Sequence, residues 1–195
     1  MIVLFDANFL LMLFDEKARA PKRAGKPVIK NASERIELLV QDLSKKRTKI
    51  IVPTPALAEF LLMASDSYDR YLAEIKKRTV FEVFGFDDPA CIELVDMSLA
   101  LGKPKKNKPE DTWAKLKYDR QIIAIGKVNR AQQVYTTDDG VRNLAIQAGM
   151  KPIDLEDLPE PPPRQTQLDL AGGAKPAKNP ESDPGAGTPP SSAGS

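Results

Sequence analysis

The sequence predicts an α/β fold with a mostly parallel central sheet, because short apolar segments alternate with longer segments of helical periodicity. The short segments have the length of strands, and several are apolar on both faces, as is typical of buried parallel strands. The strand candidates are residues 1–5, 49–53, 80–86, 133–137 and 151–155. Strands that pair in parallel need crossover connections, and we expect the intervening helices to supply them in the right-handed sense.

The helices are predicted from apolar residues at helical spacing and from the residues at their ends. The first covers residues 9–14, and the second begins after Asn31, which is predicted to cap it with Glu34 three residues later. A third begins at Thr54, before a proline at the first helical position. Further helices are predicted around 68–77, from 88 to 101, over 118–130 and over 140–148, where Gly149 ends the last one.

The composition excludes several classes of chemistry. The 195 residues include no histidine, so imidazole acid/base catalysis, histidine-dependent nucleophiles and histidine-ligated metals are excluded. Cys91 is the single cysteine, which fits a reducing cytosol, and its apolar helical neighbours predict that it lies in the core. The apolar start is interrupted by Asp6 and is shorter than the roughly 20 residues that span a bilayer. We therefore expect a cytoplasmic protein without a membrane segment.

The composition changes at Leu158. The 38 residues from there onward include nine prolines, five glycines and four serines, and no aromatic residue. Such a segment buries too little apolar surface to offset its ordering entropy, so it is predicted to be disordered, with a Pro-rich binding motif as the alternative. We therefore expect one folded domain over residues 1–157 and a tail over 158–195.

Carboxylates follow the predicted strands at the edge where open parallel sheets bind ligands. Asp6 ends the first strand, and Glu59 lies one turn inside the helix after the second. Asp138 and Asp139 end the fourth strand. Asp119 belongs to the same edge. Its helix leads into the amino end of the fourth strand, so the start of that helix must lie at the opposite, carboxyl edge of the sheet. At about 4 Å and an effective dielectric near 20, each pair of such charges repels by about 4 kcal/mol.

A divalent cation removes this repulsion. A cluster of carboxylates without imidazole or thiolate selects hard ions, Mg²⁺ or Mn²⁺, which promote attack of water on phosphodiesters. Structural roles compete with this interpretation. Asp6 and Asp138 could cap helices, Asp119 could complement a helix dipole, and Glu59 could be a solvated helix residue. Asp87 and Asp88 are interpreted as structural, with Asp88 as the helix N-cap before a proline.

Four segments in chain order resemble the acidic signature of PIN domains. They are Asp6-Ala7-Asn8 after a strand, Glu59 in PTPALAEFL, Asp119 in YDRQIIAIG and Asp138 in TTDDG. PIN domains are metal-dependent ribonucleases that include the VapC-like toxins of bacterial toxin–antitoxin pairs. The resemblance spans residues 1–157 and implies a three-layer α/β/α sandwich.

The resemblance also implies the site. Asp6, Glu59, Asp119 and Asp138 would be the catalytic metal ligands for Mg²⁺ or Mn²⁺, with Asp139 as a further ligand or a neighbour of one. Asn8 and Thr136 would fix the ligand geometry through side-chain hydrogen bonds. The implied partners are RNA, an antitoxin protein and a second copy of the chain. The chain is longer than the compact toxins, so nuclease chemistry is better supported than a stand-alone toxin.

Two basic segments are candidates for RNA contact. Residues 17–30 contain six basic and no acidic residues, and residues 103–117 contain six basic residues against two acidic ones. Cations that neutralise phosphates and an aromatic ring that stacks on a base suit a single-stranded RNA channel. The RNA-binding candidates are Lys103, Lys105, Lys106, Lys108, Trp113, Lys115, Lys117 and Arg120. The alternative is a solvated loop with Trp113 packed on its own domain.

The predicted function is a metal-dependent endoribonuclease that hydrolyses single-stranded or looped RNA. One alternative is a catalytically silent PIN-like module that binds RNA or protein. Another is a Mg²⁺-dependent phosphohydrolase or receiver domain, which Asn8 disfavours because a phosphoaspartate enzyme needs a second acid at that position.

Overall fold

A computed structural model describes residues 1–15, 17–21, 29–102 and 113–162. Four of the predicted RNA-binding lysines, Lys103, Lys105, Lys106 and Lys108, lie outside the described residues, as do the side chain of Trp113 and residues 163–195 of the predicted tail.

One five-stranded sheet forms the centre of the domain. Its strands are β1 (Ile2–Phe5), β2 (Lys49–Pro53), β3 (Phe81–Phe84), β4 (Gln133–Tyr135) and β5 (Lys151–Ile153). They pair in the order β3-β2-β1-β4-β5, and all four pairings are parallel. The predicted α/β fold with a parallel sheet is confirmed.

Helices flank the sheet in two groups. They are α1 (Ala7–Phe14), α2 (Ala32–Lys45), α3 (Thr54–Ala64), α4 (Tyr68–Lys77), α5 (Asp88–Leu101), α6 (Trp113–Val128) and α7 (Asp139–Gln147). Helix α1 packs on α2 and α3, and α3 on α4, whereas α6 packs on α5 and α7. With right-handed crossovers, the strand order places α1–α4 on one face and α5–α7 on the other, which gives the three-layer sandwich.

Close packing of α6 on the sheet positions Asp119. A Cβ atom built on Gly126 of α6 would lie 2.7 Å from Cδ1 of Leu4, so only glycine lets this helix approach β1 so closely. Ile122 and Ile123 of the same helix are buried, as expected for a stripe that faces the core. Asp119, one turn before Ile123, is thereby held against the carboxyl ends of the strands.

Two predicted helix caps were wrong in detail. Asn31 precedes α2, but it adopts a left-handed conformation with φ 57° and its side chain makes no capping hydrogen bond. Asp87, rather than Asp88, caps α5, since its Oδ1 accepts a hydrogen bond of 3.0 Å from the backbone N–H of Ala90. Asp88 is the first residue of that helix, where its charge still favours the positive end of the dipole.

The prediction that Cys91 lies in the core was also wrong, because its side chain is exposed. Helix α5 is apolar on more than one face, and it turns Ala90 and Met97 inward. Cys91 and Ile92 follow Ala90 by about 100° and 200° around the helix, so they point away from that inner face. Apolar composition alone did not identify the buried side of this helix.

The folded unit runs five residues beyond the predicted boundary at 157, to Pro162. Leu158 is buried, and its carbonyl accepts a hydrogen bond of 2.6 Å from Nη1 of Arg35. Arg35 also pairs with Glu160 at 2.9 Å, which fixes this segment to α2. Among the described residues, no helix has both the length and the apolar character needed to cross a membrane.

Candidate functional site

A cavity of about 310 Å³ opens at the carboxyl edge of the sheet. Strand order reverses at β1, and in open parallel sheets a crevice for ligands forms at such a switch point. The residues that line the cavity are Asp6, Asn8, Glu59, Ala114, Lys115, Tyr118, Asp119, Asp138 and Val141. The fold therefore brings together the four carboxylates that the sequence suggested, although two belong to α3 and α6 and the other two lie in the segments that follow β1 and β4.

Asp6 is the most deeply buried of these carboxylates. Its Oδ1 accepts a hydrogen bond of 2.8 Å from the backbone N–H of Ala7, and its Oδ2 accepts one of 2.7 Å from the hydroxyl of Thr136. The pKa of Asp6 is raised to about 6, chiefly by burial and to a smaller extent by the charges of Glu59 and Asp138, against the lowering effect of these two hydrogen bonds. The negative charge of Asp6 is therefore unfavourable in the cavity unless a cation joins it.

Thr136 links two of the acidic residues. It is fully buried after β4, and its hydroxyl donates to Asp6 while accepting a hydrogen bond of 3.0 Å from the backbone N–H of Asp138. This side chain therefore fixes the orientation of the Asp6 carboxylate relative to the loop that carries Asp138.

Thr136→Val is expected to lower the free energy of unfolding by about 1–3 kcal/mol, because it leaves a buried carboxylate oxygen and a backbone N–H without their shared hydroxyl. Valine keeps the shape of threonine, so the loss would come from the hydrogen bonds. Urea denaturation of the metal-free protein measures the effect, with Thr136→Ser as the variant that keeps the hydroxyl. A valine variant as stable as the serine variant would show that these hydrogen bonds contribute little.

Asp138 has both a structural and a cavity-facing oxygen. Its Oδ1 caps α7 by accepting hydrogen bonds of 2.6 Å from the N–H of Gly140 and 3.2 Å from that of Val141. Its Oδ2 lies 3.1 Å from Nζ of Lys115. The capping role considered from the sequence is therefore present, and the second oxygen stays directed toward the cavity.

Asp119 and Glu59 complete the acidic wall. Burial raises the pKa of Asp119 to about 7, and the charge of Asp138 adds to the shift. Burial and then Asp138 also raise the pKa of Glu59. Lys115 opposes both shifts, since its ammonium lowers the two pKa values. Among the residues that line the cavity, Lys115 is thus the cation that offsets the carboxylate charges.

Of three other residues that were predicted to belong to the site, one lines the cavity and two do not. Asn8 lines the cavity. Asp139, considered as a further ligand, does not line it. Its side chain is 82% exposed and lies 3.8 Å from Nε of Arg142. Arg120, predicted to contact RNA, is buried and donates to the carbonyl of Gly102 at 2.7 Å. Arg120 follows Asp119 by about 100° around α6, which turns it away from the cavity.

Two polar residues of the cavity wall, Lys115 and Tyr118, were not assigned there from the sequence. Lys115 was predicted to bind RNA, and Tyr118, which is 45% exposed, was given no role. Helix α6 begins at Trp113, five residues before the predicted start. With the correct start, the spacing of three and four residues between Lys115, Tyr118 and Asp119 would have placed all of them on one helix face.

The donor set fits a hard divalent cation. Among the described residues, no three or more Asp, Glu or Cys side chains already have the arrangement of metal ligands. The four cavity carboxylates nevertheless offer only oxygen donors, and three of them have raised pKa values that a cation would lower. Binding would require the Lys115 ammonium to leave Asp138 and the carboxylates to converge.

Lys115→Met is expected to tighten Mn²⁺ binding about tenfold, because the variant removes the ammonium that competes for Asp138. Calorimetric titration with Mn²⁺ measures the affinity. Lys117→Met, which removes an exposed lysine of the same helix, is the matched control. Weaker Mn²⁺ binding by Lys115→Met would show that Lys115 supports the site instead of competing.

Comparisons with known proteins identify the fold. No family model matches the sequence, and no curated protein matches it significantly. A solved structure of VapBC2 from Rickettsia felis, bound to a DNA fragment from its promoter, matches with a TM-score of 0.50 at 11% identity. The match covers 79% of this chain and 98% of that one.

Two further structures match below a TM-score of 0.5. They are DNA-bound VapBC from Salmonella typhimurium and VapC20 from Mycobacterium tuberculosis, described as a sarcin-ricin loop cleaving toxin. Their TM-scores are 0.48 and 0.44, at 19% and 14% identity, with 80% and 73% of this chain and 99% and 95% of theirs covered. The first comparison shows that this chain shares the α/β fold of the VapBC2 chain that it matches.

Proposed function

We propose that the chain is a Mg²⁺- or Mn²⁺-dependent endoribonuclease that hydrolyses phosphodiester bonds in single-stranded or looped RNA. The observation that carries this proposal is the meeting of four carboxylates from distant segments in one cavity at the switch point of the sheet. The parallel-sheet fold that the chain shares with the VapBC2 chain supports it, because open parallel sheets bind ligands at the carboxyl ends of their strands.

The chain's own residues would prepare the reaction. A bound divalent cation would supply an activated water and neutralise the charge that develops on the phosphate. Asp6, Glu59, Asp119 and Asp138 would hold that cation. Thr136 keeps the Asp6 carboxylate in one orientation through its 2.7 Å hydrogen bond.

RNA fits the side chains at the cavity mouth. Lys115, once displaced from Asp138, would lie beside the reacting phosphate and neutralise one of its oxygens. Tyr118 lines the cavity and is half exposed, so its ring is available to stack on an unpaired base. The net charge of +5 over residues 1–150, which contain 25 Lys and Arg against 20 Asp and Glu, favours an anionic partner. With RNA as the substrate, we place the protein in the cytoplasm.

Incubation with end-labelled RNA tests the function. We expect fragments in Mg²⁺ or Mn²⁺ and none in excess EDTA. Glu59→Gln, which removes a cavity charge, is expected to abolish cutting, whereas Glu34→Gln, a matched change at the start of α2, is not. An intact RNA panel under all conditions would contradict nuclease activity.

A catalytically silent RNA-binding module is the second candidate. The observation that favours it is the ion pair of Lys115 with Asp138, together with the lack of a preformed metal-ligand arrangement among the described residues. RNA that is retained in a filter-binding assay but left uncut in Mn²⁺ would support this second function over the first.

Helix α5 also carries an exposed apolar stripe. Ile92, Val95 and Leu99 form a stripe on α5 and are 64%, 49% and 80% exposed. Such a stripe on one helix face is typical of a surface that is covered in an assembly. We propose a homodimer through α5, and we assign an antitoxin partner by likeness to the VapBC2 complex. Analytical ultracentrifugation tests the dimer, and Leu99→Glu is expected to yield monomers.

A further inference from the structure

Gly140 lies where two cavity carboxylates meet. It is the second residue of α7, and its backbone N–H donates to Oδ1 of Asp138 at 2.6 Å. A Cβ atom built on Gly140 would lie 2.9 Å from that same oxygen and 3.0 Å from Oδ2 of Asp119. The carboxylates of a loop residue and of an α6 residue therefore share the space that a side chain at position 140 would fill.

The backbone does not require glycine at this position. Glycines with positive φ in the described residues are Gly102 and Gly149, whereas Gly140 has helical geometry that alanine adopts readily. Alanine is also the better helix former. Glycine at position 140 is therefore unfavourable for α7 itself, and the atoms that alanine would meet are the two carboxylate oxygens.

We infer that Gly140 is a positioning residue, which leaves room for Asp119 and Asp138 to approach a shared divalent cation. The inference rests on the proposed metal site and adds to it the residue that sets the placement of two ligands. The atoms in the way are the ends of two side chains, so a Cβ at position 140 displaces the carboxylates while the backbone stays in place. Gly140→Ala is thus expected to fold with a moderately weakened cap on α7 and to bind metal poorly.

Gly85→Ala is the matched control, because a Cβ on Gly85 would meet no atom within 4 Å and its φ is not positive. Three measurements are made on the wild type, Gly140→Ala and Gly85→Ala. Urea denaturation without metal reports folding, Mn²⁺ titration followed by electron paramagnetic resonance reports metal affinity, and end-labelled RNA reports cutting.

For Gly140→Ala we expect a cooperative urea transition with a moderately lower midpoint, because the displaced Asp138 oxygen also caps α7. We also expect Mn²⁺ affinity at least about tenfold weaker and slower cutting, with Gly85→Ala close to the wild type in metal affinity and cutting. Loss of the cooperative urea transition in Gly140→Ala would make Gly140 a requirement of folding and overturn the positioning role. Wild-type Mn²⁺ affinity in Gly140→Ala would overturn it as well. If the wild type binds Mn²⁺ and cuts RNA, such a result leaves the proposed function intact, whereas a wild type that binds no Mn²⁺ removes both.

Discussion

Asp6→Asn is expected to lower the rate of RNA cleavage by about two orders of magnitude or more, because asparagine cannot supply the charged oxygens that a divalent cation needs. The same change is expected to stabilise the metal-free protein at pH 8. Burial raises the pKa of Asp6 from 3.8 to about 6, so ionisation of this group opposes folding at that pH. Removal of the charge is expected to increase the free energy of unfolding by about 1–3 kcal/mol.

Two assays on the same preparations check both effects. Cleavage of end-labelled RNA in Mn²⁺ measures activity, and urea denaturation in EDTA at pH 8 measures stability. Asp139→Asn is the matched control, because Asp139 is 82% exposed and does not line the cavity. Equal losses of activity in the two variants would contradict the assignment of Asp6, as would full activity in Asp6→Asn.

The stability of the metal-free protein is expected to fall as the pH rises from about 5 to 8. The folded protein holds Asp6 and Asp119 with pKa values of about 6 and 7, above the value of 3.8 for an unperturbed aspartate. Between these values the folded state binds more protons than the unfolded state, so the free energy of unfolding decreases with pH. The stability that these groups contribute is therefore full below the unfolded pKa of 3.8 and is lost as the pH rises through the folded values of about 6 and 7.

Urea denaturation at pH 5, 6, 7 and 8 measures this dependence, with and without saturating Mn²⁺. A cation that binds only the folded state stabilises it and removes the repulsion among the ionised carboxylates, so the pH dependence should flatten. Asp6→Asn should lose part of the slope even without metal. Stability that increases from pH 5 to 8 in EDTA would contradict the raised pKa values.

The sheet and the four cavity carboxylates could be predicted from the sequence for one reason. Asp6 directly follows β1 and Asp138 lies three residues after β4, and a parallel sheet places the carboxyl ends of its strands at one edge. Asp119 required only the direction of the helix that leads into β4. These inferences need no knowledge of how a side chain is oriented, because chain direction alone decides which edge a residue occupies.

The features that could not be predicted from the sequence depend on the direction in which each side chain points from its helix. Lys115 lies in the cavity because α6 already begins at Trp113, which puts Lys115 on the helix face of Asp119. Arg120 is buried away from the cavity because it follows Asp119 by one residue and so points in another direction. Cys91 is exposed because it follows the inward-facing Ala90 by one residue on α5. The space over Gly140 is set by oxygens from two separate elements, so no local pattern indicates it.

The presence of a divalent cation among the four cavity carboxylates is the central claim, and anomalous scattering from crystals soaked in Mn²⁺ tests it most directly. We predict a peak in the cavity at a coordination distance of about 2.1 Å from oxygens of Asp6, Asp119 and Asp138, with Lys115 moved away from Asp138. A cavity without a peak, in which Lys115 still contacts Asp138 while Mn²⁺ scatters elsewhere, would contradict the claim.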